Sequence, residues 1–348
     1  EDLASCEPRR IEEALYPISH QAFGGTVPVK FCFRPLPMAV VSMLGLYGKL
    51  IRFESATAKL NGGWPGNCAY HVSSSIWLKN MPTPARMLVL PFLKGSQLKP
   101  KRGAKFFLDG VFGSATAAVK EPYHSTNSNG DLNWNFEELV ETISKVHDLG
   151  LQSHLHAIGD AAIEFALKAL HQAKPGPFPG VIAHAELTSK ELINKARELG
   201  VYLVVQPYWA QYNSMLKSCV QHLGEVRTES LYAFRDFLDS GVGLAFSSDW
   251  PVSSYQPLEG IAVAVNRKSE AQQVAHNPSQ AMSLEEALDC YTYSVSQMLG
   301  RPERSLELGS NFNAVILEGN LKQKDLDSLM QTKVLAVYKS GARLFPQN

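Results

Sequence analysis

The stretch Leu151-Gln152-Ser153-His154-Leu155-His156-Ala157-Ile158-Gly159-Asp160 decides how this chain is read. Residues 151–157 read as a strand, and they carry two histidines two positions apart. A strand places such positions on one face. Gly159-Asp160 then opens a segment, 161–173, with the spacing of an amphipathic helix. Two later segments repeat the plan. Val181-Ile182-Ala183 leads into His184-Ala185-Glu186, and residues 242–246 lead into Ser248-Asp249-Trp250-Pro251. Each time, an imidazole or a carboxylate falls at the C-terminal end of a predicted strand.

Outward from these segments the alternation continues. Residues 104–108 read as a strand ending at Asp109-Gly110, and 136–149 as a helix. Thr188-Ser189-Lys190-Glu191 reads as a capping box opening the next helix. Residues 201–205 read as strand, 230–238 as helix, and a last long helix runs from the capping box Ser283-Leu284-Glu285-Glu286 to Gly300. Strands alternating with helices predict parallel pairing through crossovers. The predicted fold class is α/β: a TIM-like (β/α)8 barrel, altered or incomplete at its N-terminal strands, with a small C-terminal β appendage. Five strand-then-helix units fall between residues 104 and 300. The expected organisation is 1–100 as a divergent region supplying the early barrel strands, 101–305 as the barrel core with the site, and 306–348 as the appendage. Ala314-Val315-Ile316-Leu317, Val334-Leu335-Ala336-Val337-Tyr338 and Gly341-Ala342-Arg343-Leu344-Phe345 are its strands.

Composition narrows the classes. The chain has 348 residues, 45% of them hydrophobic, enough for one large core. Lys+Arg and Asp+Glu are both 33, so nothing favours nucleic acid or an acidic membrane surface. No apolar run approaches the roughly 20 residues that span a bilayer. Five cysteines (Cys6, Cys32, Cys68, Cys219, Cys290) form no CxxC pair and read as buried free thiols in a reducing compartment. The cytoplasm is therefore the favoured location, with the compartment left open. The chain opens on Glu1 without a signal-like segment, so residues were removed upstream or the coding sequence begins earlier. Self-association into a homo-oligomer is left open.

His156, His184 and Asp249 form a plausible donor set, because neutral imidazoles with one carboxylate suit a divalent ion such as zinc. Asp249 could also take a proton from an attacking water; the bland alternative is a helix N-cap. His154 is a second ligand or packing. Lys105 is either a desolvated strand lysine, able to be carboxylated by CO2, or a solvent-facing one. Asp160 reads as a helix N-cap, and Glu186 and Thr188 as parts of the next helix start. Arg267 reaches a substrate carboxylate or only the surface. His20, His71, His124, His147, His171, His222 and His276 read as surface or core residues.

Lys105-Phe106-Phe107-Leu108-Asp109-Gly110, His156-Ala157-Ile158-Gly159-Asp160, His184-Ala185-Glu186 and Ser248-Asp249-Trp250-Pro251 resemble the amidohydrolase superfamily. They look most like amidohydrolase family 3, the YtcJ-like proteins related to N-substituted formamide deformylase. Gln206-Pro207, Asn266-Arg267, Asn277-Pro278, Tyr291-Thr292 and Gly309-Ser310 add to the match, which covers about residues 100–348. The resemblance implies a metal-dependent barrel that hydrolyses C–N bonds of a small amide, formamide or cyclic amide. It implies His156, His184, Asp249 and Lys105 as metal ligands, Lys105 as a carboxylated bridge, and one or two divalent ions, most expectedly zinc. Asp249, Lys105 and Arg267 are the candidate catalytic residues. The departure is the family's strand-one His-x-His pair. Residues 1–100 contain only His20 and His71. The alternatives are therefore a catalytically inactive barrel with a binding or regulatory role, or a truncated form of the enzyme.

Overall fold

The computed structural model describes residues 103–250, 252–268, 274–300, 308–310, 312–323 and 326–345. The expectation of early barrel strands in residues 1–100 lies outside the described residues, as do His20, His71, Cys6, Cys32 and Cys68.

Five parallel strands form one sheet: β1 (Gly103–Phe107), β2 (Gln152–Ala157), β3 (Val181–His184), β4 (Tyr202–Val205) and β5 (Gly243–Phe246). Their order in space is their order in sequence. A doubly wound sheet would reverse direction at a switch point; this one is wound one way throughout, like a barrel wall. The helices that return the chain are α1 (Phe136–Asp148), α2 (Asp160–Gln172), α3 (Lys190–Glu198), α4 (Ser214–Leu223), α5 (Glu225–Glu229), α6 (Phe234–Ser240), α7 (Pro257–Asn266), α8 (Leu284–Tyr291) and α9 (Tyr293–Met298). Among the described residues the sheet does not close.

Register sorts the side chains into two faces. Lys105 pairs with His154 and His154 with Val181; Phe107 pairs with His156 and His156 with Ala183. These share one face. Ala104, Phe106, Leu155, Ala157, Ile182, Leu203, Val205, Leu244 and Phe246 point the other way, into the main core with the helices. On the first face Val181, Val204 and Ala245 pack with Val295, Met298 and Leu299. Both faces are covered, which is why β2 is buried along its whole length.

The helices follow their sequence signals. Asn135 caps α1 by accepting from the amides of Glu137 and Glu138 at 3.0 and 3.4 Å, and Leu139, Ile143 and Val146 turn inward. Ser283 and Glu286 form the capping box of α8. Three expectations shift. The cap of α3 is Ser189, whose hydroxyl accepts from Leu192, one residue later than the predicted box. Residues 230–233 are not helical: Leu231 bridges Leu187, and Tyr232 takes a left-handed φ of 61°. The long last helix breaks at Thr292, whose hydroxyl bonds back to the Leu288 carbonyl at 2.7 Å.

The C-terminal strands form a separate antiparallel sheet, β6 (Ala314–Leu317), β7 (Val334–Lys339) and β8 (Ala342–Phe345). Ser340 and Gly341 turn the last hairpin with φ of 49° and 81°, the two positive values a type I′ turn requires. Cys219 and Cys290 are buried free thiols. Among the described residues no helix is long and apolar enough to cross a membrane.

Glu286 also ties α8 to α6. Its two oxygens accept from Arg235 Nη1 at 3.0 Å and Nη2 at 2.6 Å. The guanidinium, then the Ser283 amide, hold its carboxyl down at about 2. An acid held below its unfolded value stabilises above the unfolded pKa and loses that contribution as pH falls. The window is therefore from about 4.5 down to about 2. Glu286→Gln is expected to cost about 1 kcal/mol at pH 7, the partial exposure of the pair limiting it. It should also flatten the acid limb of stability, read from urea unfolding at stepped pH.

Candidate active site

The sheet brings its polar side chains together where its strands end. His156 is the penultimate residue of β2 and His184 the last of β3. Their ring centroids lie 4.4 Å apart, inclined at 66°. Strict alternation would send His184 outward with Ile182. Instead His184 has φ 76° and Ala185 φ 45°. That rotation about the N–Cα bond brings the imidazole round to the face of His156. Left-handed backbone at a non-glycine residue costs about 1–3 kcal/mol and concentrates at functional sites. Asp249, just beyond β5, is also left-handed, with φ 52°. No described helix begins there; α7 is capped at Gln256.

Each imidazole has one nitrogen already committed. His156 Nε2 lies 3.0 Å from the Gly110 carbonyl, which can only accept, so Nε2 carries the proton and Nδ1 keeps a lone pair. His184 Nδ1 lies 2.8 Å from Gln206 Oε1. Both rings are held neutral. Burial, then the Lys105 charge, lowers His156 to about 3. Burial, then His156 and Lys105, keeps His184 well below its ordinary value. Trp209 stacks on His184 at 5.5 Å with planes 4° apart, and its buried indole N–H has no partner among the described residues.

Lys105 keeps partial surface exposure, but its ammonium lies deep enough for burial to lower its pKa to about 8, against the pull of Asp249. Burial raises Asp249, and Lys105 offsets it. The two are an electrostatic pair, and the Lys105 charge acts on both imidazoles. Lys105 Nζ also sits 5.7 Å from the centre of the Phe107 ring. His154 is in register with Lys105 on the same face and buried.

Asp109, in the Lys105–Gly110 segment, has a structural role that its sequence position does not announce. Its carboxylate accepts from the amides of Ala118 at 3.0 Å, Ile158 at 3.1 Å and Gly159 at 2.9 Å. Oδ1 also approaches His156 Nε2 at 3.4 Å. Burial pushes this carboxyl up to about 7 against those amides. Asp109 thus pins the end of β1 to the turn that follows His156. Gly159 completes the clamp. A Cβ there would meet the Ala118 carbonyl oxygen at 1.9 Å, and that carbonyl is fixed by the Ala161 and Ala162 amides. Gly159→Ala is expected to lose about 3 kcal/mol in urea unfolding, since the hydrogen-bonded loop backbone at Ala118 rather than a flexible side chain must move.

Other residues lie elsewhere than sequence suggests. Asp160 is the first residue of α2, after the cap position Gly159, and accepts from the Lys120 amide at 2.9 Å. Glu186 is not part of a helix start. Its buried carboxyl accepts from the Tyr232 hydroxyl at 3.0 Å, and burial pushes it up to about 8. The Thr188 hydroxyl is buried with no partner among the described residues. Arg267 is neither at the surface nor joined to the histidine pair. It is fully buried, donating to the carbonyls of His276 at 2.9 Å and Tyr232 at 3.1 Å, with its guanidinium 5.0 Å from the Phe234 ring centre. It fixes the left-handed end of α7. His147 is a core residue bridging the Lys174 carbonyl and Ser153. His171 and His124 are exposed.

As ligand chemistry, the described residues supply two neutral imidazoles with free lone pairs; the Lys105 charge acts on both rings, and Asp249 acts on Lys105. Among the described residues no three His, Cys, Asp or Glu side chains gather as an ion site. The set fits part of a metal centre, with Lys105 as a further donor if carboxylated.

The family model described as "Amidohydrolase family" matches residues 65–345. The chain belongs to the amidohydrolase family. This amidohydrolase-family chain is 31% identical over 223 residues to the protein YtcJ of Bacillus subtilis (strain 168), covering 62% of the chain and 42% of that relative. It is 31% identical over 277 residues to LONG AFTER FAR-RED 3 of Arabidopsis thaliana, covering 76% of the chain and 47% of that relative. The chain thus spans less than half the length of these two relatives. Among solved structures it resembles an uncharacterized metal-dependent hydrolase from Pyrococcus furiosus, with 33% identity and a TM-score of 0.52 over 62% of this chain and 44% of that one. A Pyrococcus horikoshii protein of the same description matches with 31% identity and a TM-score of 0.53 over 61% and 44%.

Proposed function

We propose that this chain carries the substrate-facing wall of a metal-dependent hydrolase that cleaves the C–N bond of a small amide, formamide or cyclic amide. The observation that supports this most is the His156–His184 pair, two adjacent neutral rings with one lone pair each left uncommitted among the described residues. The two Pyrococcus neighbours, described as metal-dependent hydrolases, agree with it. Three further strands from residues 1–100 would complete an eight-stranded barrel.

His156 and His184 would hold a divalent ion, zinc being the best match to imidazole donors. Lys105 would add an anionic oxygen after its neutral amine takes up CO2 and loses a proton. A bound ion lowers the pKa of water and polarises a carbonyl. Asp249 would accept the proton of the attacking water and pass it to the departing nitrogen. Lys105 balances the Asp249 charge before carboxylation. Asp109 holds the His156 turn in place throughout.

A second reading, a catalytically inactive barrel kept for binding or regulation, rests on the absence of a His-x-His pair in residues 1–100. One experiment separates the two. Zinc-supplemented chain is assayed against N-substituted formamides and cyclic amides, with and without chelator. Chelator-sensitive hydrolysis that Asp249→Asn abolishes supports the hydrolase. Absence of turnover across both substrate classes supports the inactive barrel.

A further inference from the structure

We propose that Gln206 is a positioning residue that commits His184 to a single reactive nitrogen, Nε2, and that the Val204 carbonyl sets its direction. The inference deepens the reading of His184 as a ligand and rests on it for its purpose, though not for its test.

The Gln206 side-chain amide can point two ways. Gln206 follows β4 directly, and its side chain is buried between the ends of β3 and β5. One end of the amide faces His184 Nδ1 at 2.8 Å. The other faces Ser247 Oγ at 2.8 Å and the Val204 carbonyl at 3.5 Å. The serine hydroxyl both donates and accepts, so it suits either orientation. The carbonyl only accepts. With the amide reversed, two oxygens would confront each other beside the sheet. The nitrogen must therefore face Val204 and Ser247, and Oε1 must face His184. An oxygen acceptor there requires Nδ1 to carry the proton, which leaves Nε2 with its lone pair.

A backbone carbonyl of β4 thus selects the tautomer of a histidine on β3. The relay also reaches the segment of the third candidate residue, since Ser247 lies two positions before Asp249. One amide ties the ends of three strands together. A ring that exchanged tautomers would present its lone pair to the site only part of the time. Hydrogen-bond partners of ligating histidines serve to remove that freedom, and losing one typically weakens metal binding by about 10–100-fold.

The test uses full-length chain, 15N-labelled at histidine and stripped with chelator, read by long-range 1H–15N correlation spectra. The His184 signals are identified by their loss in His184→Asn. Wild type is expected to show a protonated Nδ1 and a bare Nε2. Gln206→Met keeps the length but lacks the acceptor, and is expected to populate both tautomers. Gln206→Glu restores an acceptor and is expected to return the ring to Nδ1–H. Ser247→Ala, which leaves Val204 to orient the amide, should keep Nδ1–H and serves if Gln206→Met does not fold. A wild-type ring protonated at Nε2, an unchanged Gln206→Met, or a reversed tautomer in Ser247→Ala overturns the proposal. Zinc titration of the same proteins should give about 10–100-fold weaker binding for Gln206→Met and recovery in Gln206→Glu. The tautomer readout stands without zinc, so a failure of the hydrolase reading is distinguishable from a failure of this one.

Discussion

His184→Ala is expected to lower the proposed amide hydrolysis by about a thousandfold while the chain still folds. The proposed loss is several kcal/mol of charge stabilisation at the substrate carbonyl, and each 1.36 kcal/mol is a decade in rate. The folding cost is moderated from two directions. The stack on Trp209 and the bond to Gln206 disappear. The desolvation of a buried imidazole disappears with them, and the backbone at φ 76° stays strained with alanine as with histidine. His184→Gly relieves that strain and still lacks the ring. It should therefore match His184→Ala in rate and exceed it in melting temperature. Turnover within threefold of wild type in either variant would show that the ring takes no part in the reaction.

Asp109→Ala is expected to give the largest loss of stability, about 3–5 kcal/mol in urea unfolding. It leaves the Ala118, Ile158 and Gly159 amides without their acceptor, each an unsatisfied buried donor worth about 1–3 kcal/mol. The values do not add fully, because the turn can relax. Asp109→Asn should fall between, since its carbonyl oxygen still accepts while its amide nitrogen confronts a donor. A loss below about 1 kcal/mol in Asp109→Ala would mean that the clamp does not hold the His156 turn.

The outcome of reading sequence alone differs from residue to residue, for physical reasons. Strands such as β3 were legible because continuous apolar runs like Val181-Ile182-Ala183 fit a sheet covered on both faces. The α8 cap was legible because Ser283 and Glu286 satisfy one another locally. At α3 two candidate caps adjoin, and nothing local says that Ser189 serves while the Thr188 hydroxyl is left buried. The left-handed backbone of His184 and Asp249 has no glycine to announce it. Contacts across long separations were invisible as well. Glu186 meets Tyr232, and Asp109 meets Gly159, only once the chain is folded. Arg267 ended an apolar helix, a place where arginine often reaches solvent. Its bonds to the carbonyls of Tyr232 and His276 instead make it part of the core. Gln206 carried one signal, its position directly after a strand beside Pro207, but its partners lie on two other strands.

The central claim is that His156 and His184 hold an ion together. The most direct measurement is the divalent metal content of chelator-stripped, zinc-reconstituted chain after desalting, wild type beside the double variant His156→Ala/His184→Ala, by elemental mass spectrometry. The account predicts about one or two ions per wild-type chain and none retained by the double variant. Equal retention by both proteins, or none by wild type, would contradict it.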